Sequence, residues 1–206
     1  MKCRPLILVM LLALAGTGAH ARAPFLRFGV EWGPSAVIYS SEHLNYLDDD
    51  RSRIFENKSS FGFSPNGFIM GHIGVNATNL LAFSVHSGYM GVNRNNRLIP
   101  LLLRMTVAPS GFDSDGIFIF ADAGVGFHLS RAEQPDRRPA VLADAGAGYR
   151  FALTPTSNLE FALNLKVSAD NILIPDPDKG GYIPREQIIK DTANSLSLCL
   201  SIGFSF

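Results

Sequence analysis

The 206-residue sequence predicts an all-β protein, a closed eight-stranded antiparallel up-and-down β-barrel that crosses a membrane and follows an N-terminal signal peptide. Three observations predict this class. Eight segments alternate apolar and polar residues with the period of two that is typical of strands. The polar positions of those segments hold mainly small residues, Gly, Ala and Ser, and few long charged side chains. Residues 1–21 have the charge and hydropathy pattern of an export signal.

The N-terminal segment 1–21 is predicted to be a cleaved secretory signal peptide. It has a positively charged start, an apolar run over residues 5–15, and an Ala-x-Ala cleavage site that ends at Ala21. Cleavage removes two of the 18 basic side chains and no acidic one, so the single domain at 22–206 has a net charge of −2. This balance excludes a general nucleic-acid binder, which needs a basic face. Only Cys199 remains, so no internal disulfide is expected.

The predicted strands follow one another along the whole domain. In chain order they cover residues 25–39, 61–75, 81–89, 98–107, 117–129, 140–153, 158–172 and 195–206. The last strand alternates without a fault, with its apolar side chains on one face and Ser, Cys and Gly on the other. A β-sandwich would carry many lysines and glutamates on its outward face. Small residues instead favour the packed lumen of a narrow barrel, whose apolar face meets lipid and whose edges must close.

The connections between these strands alternate between short and long. Tight turns are predicted at 76–79 and 154–157, and long polar links at 40–60 and 173–192. Short turns at one end and longer loops at the other are typical of outer-membrane barrels, in which the loops are extracellular. Two links depart from the alternation. The link at 93–97 is short for an outer loop, and the link at 108–116 is long for a turn.

The predicted lumen holds four basic and four acidic side chains, placed there by the parity of the strands. They are Arg27, Arg104, Arg150, Lys166, Glu31, Asp122, Asp144 and Glu160. A charge inside a membrane barrel must be paired or hydrated, so equal numbers predict an interlocking salt-bridge network that plugs the lumen. A gated ion or proton path is the alternative interpretation.

Glycines and histidines share the predicted lumen face. The repeated Ala-Asp-Ala-Gly-x-Gly pattern at 121–126 and 143–148 lies inside alternating strands, so we expect its glycines to make room for Arg104, Arg150 and Lys166 instead of binding phosphate. The lumen histidines are His72, His86 and His128. Counted from the 76–79 turn, the first two are expected at different heights. They should not converge, and we predict no metal site and no cofactor.

The domain as a whole resembles the small outer-membrane barrels of the OmpA/OmpX type. It ends in Leu-x-Ile-Gly-Phe-Ser-Phe, and residues 97–104 followed by 118–126 are similar to the middle of the outer-membrane β-barrel domain family. The resemblance implies a monomer in the cell outer membrane, with outer-membrane lipids and lipopolysaccharide as neighbours. It also implies a C-terminal signal that the outer-membrane insertion machinery reads, formed by Leu200, Ile202, Phe204 and Phe206.

An enzymatic alternative comes from a second resemblance, to lipid A deacylases, which are also eight-stranded barrels. That family carries His-x-Ser-Asn on its seventh strand, and the matching stretch here has Lys166, Ser168 and Ala169, so only the serine is kept. A charged lysine cannot take the serine proton without a large pKa shift. The other candidate pair, His128 and Ser130, falls on the fifth strand. The sequence therefore predicts no catalytic residue, and a structural or surface-interaction role through the outer loops, with a deacylase-like enzyme or a narrow ion channel as alternatives.

Overall fold

A computed structural model describes residues 25–47, 52–93, 96–129, 138–154, 156–171, 174 and 182–206. The predicted signal peptide lies outside the described residues and stays a prediction. In the part of the chain that is described, no helix is long and apolar enough to cross a membrane.

Eight antiparallel strands form the fold. They are β1 (Leu26–Leu47), β2 (Arg53–Asn76), β3 (Leu81–Asn93), β4 (Asn96–Val107), β5 (Gly116–His128), β6 (Ala140–Thr154), β7 (Ser157–Asn171) and β8 (Ile188–Ser205). Each strand pairs with the next in the chain, and β8 pairs with β1, so the sheet closes into a barrel. The predicted fold class is confirmed, and β4 to β7 begin and end within two residues of their predicted bounds.

The period-two pattern separates the outer surface from the lumen. In β4, Ile99, Leu101 and Leu103 are exposed by 43, 48 and 59%, whereas Leu98 and Leu102 on the opposite face are buried. The same alternation recurs around the ring, so the exterior is a continuous band of large exposed apolar side chains. Such a surface is stable only against lipid, and in lipid a sheet must leave no unpaired edge, which the closed ring satisfies. The exterior is therefore the membrane face.

The predicted loop over 40–60 is wrong. β1 continues to Leu47 and β2 begins at Arg53, and the two strands pair without interruption from Ser40↔Ser60 to Leu47↔Arg53. β8 likewise begins at Ile188, inside the predicted link 173–192. These segments carry polar residues on both faces because both faces lie outside the membrane band, so the alternation that identifies the other strands is missing from them.

The link between β4 and β5 closes one end of the barrel. This end also holds the short β2–β3 and β6–β7 links and the two chain ends of the barrel, and it is the periplasmic end in barrels of this type. The backbone N–H of Phe112 donates to the carbonyl of Asn79 at 3.1 Å, which ties this link to the β2–β3 link. The Phe112 ring is buried in the lumen. The link at 108–116 is therefore longer than a turn because it covers the end of the barrel.

Candidate functional site

The centre of the lumen is organised around Arg104 of β4. Its guanidinium donates to Glu31 on β1 through Nη1 at 2.7 Å and Nη2 at 3.1 Å. It also donates to Asp122 on the neighbouring strand β5 through Nε at 2.8 Å, and the guanidinium lies over the ring of Phe120, 4.2 Å from the centroid. One cation thus satisfies two carboxylates on opposite walls. Because the two charge-assisted contacts with Glu31 cross the lumen and the others hold Arg104 to β5, this layer closes the lumen.

A second charged group lies nearer the periplasmic end. Glu160 of β7 accepts from Arg150 Nε at 2.8 Å and from Arg27 Nη2 at 2.9 Å, so one carboxylate lies between two guanidinium groups. The ring of Phe112 lies against both arginines, 4.6 Å from Arg150 Cζ and 4.8 Å from Arg27 Cζ. The β4–β5 link therefore caps this group with an aromatic ring, which removes it from bulk water and strengthens its electrostatic interactions.

Lys166 and Asp144 form the third group. Their Nζ and Oδ2 atoms are 3.9 Å apart, and Asp144 also accepts a hydrogen bond from Asn164 Nδ2 at 2.6 Å. The Lys166 ammonium lies 4.9 Å from the centroid of the Phe68 ring. The structure thus places all eight predicted charges in the lumen and pairs each with an opposite charge. Their contacts divide them into three groups, whereas the sequence predicts a single interlocking network.

The prediction that His72 and His86 stand apart is wrong. The β2–β3 register pairs them directly, and their rings stack with centroids 4.7 Å apart. Pairing continues beyond them to Asn76↔Ala82, and each histidine lies four residues from this last pair of β2 and β3. The predicted turn at 76–79 ends too early in the sequence, so it places His86 too far from the periplasmic end. His128 lies at the other end of the barrel, with Nε2 3.0 Å from Asp170 Oδ1.

The glycines of the repeated pattern accommodate neighbouring strands, leucines and aromatic rings, not the basic side chains that the sequence suggests. A Cβ built on Gly148 would lie 2.6 Å from Phe118 Cζ, and one on Gly146 would lie 2.8 Å from Phe120 Cζ. Phe118 and Phe120 were missed as lumen residues by sequence reasoning, although they share the parity of Asp122 on the same strand. That parity was the signal that could have found them.

The space left inside the periplasmic half of the barrel is small. A cavity of about 20 Å³ lies among Arg27, His72, His86, Arg104, Arg150 and Glu160. This volume has room for one water molecule. Nearer the loop end, the lumen is filled by a cluster of buried apolar side chains that includes Met70, Met90, Leu98, Leu102 and Leu142. Charged and apolar layers together therefore fill the lumen over the described residues.

The serine of the deacylase-like stretch lies inside the barrel. Ser168 is buried, and its Oγ is 2.5 Å from Ser195 Oγ on β8. The charged groups nearest to it on the same strand face are Lys166 and Asp170, which contact Asp144 and His128 as described. Ser130, the other candidate nucleophile, lies outside the described residues. Among the described residues, no group of three or more His, Cys, Asp or Glu side chains is placed to hold a metal ion.

At the loop end the sheet continues well beyond the barrel. We call residues 39–47 of β1 together with 53–67 of β2 the extracellular extension. The last β2–β3 pair is Phe68↔Met90, so this part of β2 is paired only with β1 among the described strands. One face of the extension is packed, because Leu44 is buried against Ile174 and Ile183. The described part of the predicted loop 173–192 therefore lies against the extension.

The closed ring with its apolar exterior and filled lumen defines the class of protein, a transmembrane β-barrel of the outer-membrane type. No protein family and no curated protein matches the chain in sequence. Among solved structures it is similar to Neisserial surface protein A, with a TM-score of 0.50 and 12% identity over 86% of this chain and 95% of that one. It also matches the outer membrane protein OprG from Pseudomonas aeruginosa, with a TM-score of 0.46 and 12% identity over 90% of this chain and 99% of that one. The outer membrane protease OmpT from Escherichia coli follows, with a TM-score of 0.43 and 6% identity over 88% of this chain and 96% of that one.

These similarities concern the fold. The resemblance to small outer-membrane barrels is confirmed at that level, and together with the apolar exterior it supports the predicted location in the outer membrane. Nothing in identities of 12% or less carries a ligand or an activity from those proteins to this chain.

Proposed function

We propose that this protein is an integral outer-membrane barrel with a plugged lumen that acts at the cell surface, through its extracellular extension and outer loops. One observation carries the proposal. β1 has 22 residues and β2 has 24, whereas a tilted strand needs about 9–11 residues to cross a bilayer. At least half of each strand is therefore not needed for crossing.

The extension has the properties of an interaction surface. Phe55 of β2 is 68% exposed. Six residues further along β2, Phe61 packs against Tyr39 of β1. The edge of β2 over 53–67 has no partner strand among the described residues, and an open edge can accept an added strand from another protein. One face of the extension packs through Leu44 against Ile174 and Ile183, so the surface is ordered before a partner binds.

The filled lumen supports a structural role for the barrel below the extension. Salt-bridged layers at Arg104 and Glu160 lie across the interior, and Phe112 covers the periplasmic end. A path for ions would need these layers to open, and a deacylase-like site would need a base beside Ser168. Both alternatives therefore have less support than a surface role. Contacts with lipopolysaccharide and the insertion machinery, and a monomeric state, belong to the same proposal.

A truncation tests the proposal directly. Ser41 pairs with Ser59, so residues 42–58 can be replaced by Asn-Gly, a two-residue turn that closes an antiparallel pair. We expect the shortened protein to reach the outer membrane as a heat-modifiable barrel, because residues 26–36 of β1 and 65–75 of β2 are intact. In a host that lacks this protein, we expect the full chain to increase autoaggregation or retention on collagen- and laminin-coated plates. Cells that display the shortened protein should not show this increase.

The matched control is Glu56→Gln with Lys58→Gln. It removes a solvent-exposed ion pair from the same segment and leaves the extension in place. This control should behave like the wild type in every assay. Equal surface binding by the truncated and full-length proteins would refute the proposal, and so would a full-length protein that changes neither autoaggregation nor retention while present at the cell surface.

A further inference from the structure

We propose that a groove on the outer surface of the barrel, where β2 and β3 separate, binds the phosphorylated headgroup of an outer-leaflet lipid. The groove has a volume of about 360 Å³, which is within the range of pockets that hold small ligands. Its lining includes Ile69, Tyr89 and Arg97. The inference rests on the lipid contacts included in the proposed function and gives them a site, and it does not depend on the extension having a partner.

The groove exists because two neighbouring strands take different directions. β2 and β3 pair up to Phe68↔Met90, and beyond that point β2 follows β1 into the extension while β3 stays paired with β4 through Gly91↔Arg97. The next residues at the fork are Gly67 and Gly91. A Cβ built on Gly67 would have no neighbour closer than 3.4 Å, and one on Gly91 would lie 3.0 Å from Asn66 Oδ1, so a large side chain at either position would occupy the fork.

The walls of the groove belong to the membrane face. Ile69 and Tyr89 are register partners at the base of the fork, and they are exposed by 57 and 38% on the outward side of the barrel. Tyrosine is enriched where the bilayer core meets the headgroups. An acyl chain that runs from the fork toward the bilayer core would therefore contact Ile69 and Tyr89, below the headgroup layer.

Arg97 supplies the charge that selects the headgroup. It is exposed on β4, on the same outward face as Ile99. The lumen arginines 27, 104 and 150 all pair with carboxylates, whereas no side chain in the described part of the molecule pairs with Arg97. A guanidinium matches a phosphate with two parallel hydrogen bonds, and phosphate is the anion that lipids place at this depth. Charge and apolar wall together thus fit a lipid that carries a phosphomonoester, and free phosphate would leave the apolar wall unused.

The experiment measures lipid binding to the folded, full-length barrel. Native mass spectrometry in detergent would compare the first equivalent of dimyristoyl phosphatidic acid with that of dimyristoyl phosphatidylcholine. We expect the wild type to prefer phosphatidic acid about fivefold, the contribution of one basic side chain near an anionic headgroup. Arg97→Gln should abolish the preference, Arg97→Lys should keep part of it, and Gly91→Leu should weaken both lipids by filling the fork. The control is Arg138→Gln, which removes another exposed arginine near the loop end.

Each result decides for or against the groove. Preference lost in Arg97→Gln and kept in Arg138→Gln supports it. Equal loss in both variants would mean that only overall charge matters, and would overturn it. The same holds if the wild type shows no preference, or if Gly91→Leu binds both lipids as the wild type does. Heat-modifiable gel mobility of every variant shows that the barrel is folded, so these results are independent of whether the extension has a partner.

Discussion

Replacing Arg104 with methionine is expected to destabilise the barrel by about 3–5 kcal/mol, the cost of leaving a buried charge without its partner. The side chain of Arg104 is 9% exposed, and its nitrogens lie 2.7 Å from both Glu31 Oε2 and Asp122 Oδ2. Methionine fills a similar volume but has no donor, so two buried carboxylates lose their cation at once. The change removes a large share of the roughly 5–15 kcal/mol that stabilises a typical domain.

Two companion variants separate the charge effect from the packing effect. Combining Arg104→Met with Glu31→Gln and Asp122→Asn removes the unpaired charges, and we expect it to recover most of the loss, since a buried ion pair can often be replaced by neutral groups of similar volume. Lys166→Met is expected to cost less, about 1 kcal/mol. The Lys166–Asp144 distance is 3.9 Å, and Asp144 keeps its 2.6 Å hydrogen bond from Asn164.

The assay is equilibrium urea unfolding of the barrel in lipid vesicles. Trp32 is the only tryptophan in the sequence and lies on the lipid face, 43% exposed, so its emission reports whether β1 is in contact with lipid. Gel mobility with and without boiling measures the folded fraction independently. The reasoning is refuted if Arg104→Met unfolds within about 1 kcal/mol of the wild type, which is below the range expected for an unpaired buried charge. It also fails if the triple variant is no more stable than the single one.

Three further outcomes are expected. Deleting Phe206 removes the two 2.8 Å backbone hydrogen bonds between Phe206 and Phe28 that extend the β8–β1 seam, so less heat-modifiable protein should be found in the outer-membrane fraction; wild-type amounts would contradict a role in assembly. Ser168→Ala should leave the acylation of lipid A unchanged in overexpressing cells, measured by mass spectrometry, and a wild-type activity that this change removes would overturn the non-enzymatic proposal. In planar bilayers the folded wild type should show no discrete conductance, because Phe112 and the charged layers fill the lumen; steady single-channel steps that change in Arg104→Ala would favour the channel alternative.

The parts of the fold that were predictable from sequence are those on which a bilayer imposes two different environments. In β4 every second residue meets lipid, so Ile99, Leu101 and Leu103 are apolar and the alternation can be read directly. The same constraint places Arg104 and Asp122 on the lumen side, and their pairing follows because charges in a barrel need partners. Composition and period together were sufficient for the class and for the inward positions of all eight charges.

The parts that were not predictable depend on register and on surroundings without a bilayer. His72 and His86 stack because the last pair before the turn is Asn76↔Ala82, and a one- or two-residue error in the position of a turn changes every pairing above it. The predicted loop 40–60 is largely strand, and its sequence does not show this because no bilayer imposes an apolar period on the extension. Division of the lumen charges into three groups also needs side-chain distances, which parity alone does not provide.

The two proposed binding surfaces, the extracellular extension and the groove at the fork, lie where the apolar–polar alternation is weakest, and one cause accounts for both. Alternation is strong where lipid and a packed lumen constrain opposite faces, and those strands explain stability. Where β2 leaves β3 at Gly67, the constraint on both faces ends, and residues are free to serve contacts with other molecules. The fork opens on the lipid side at Arg97 and the extension begins above it, so both proposed binding surfaces start from the same break in the barrel's pairing.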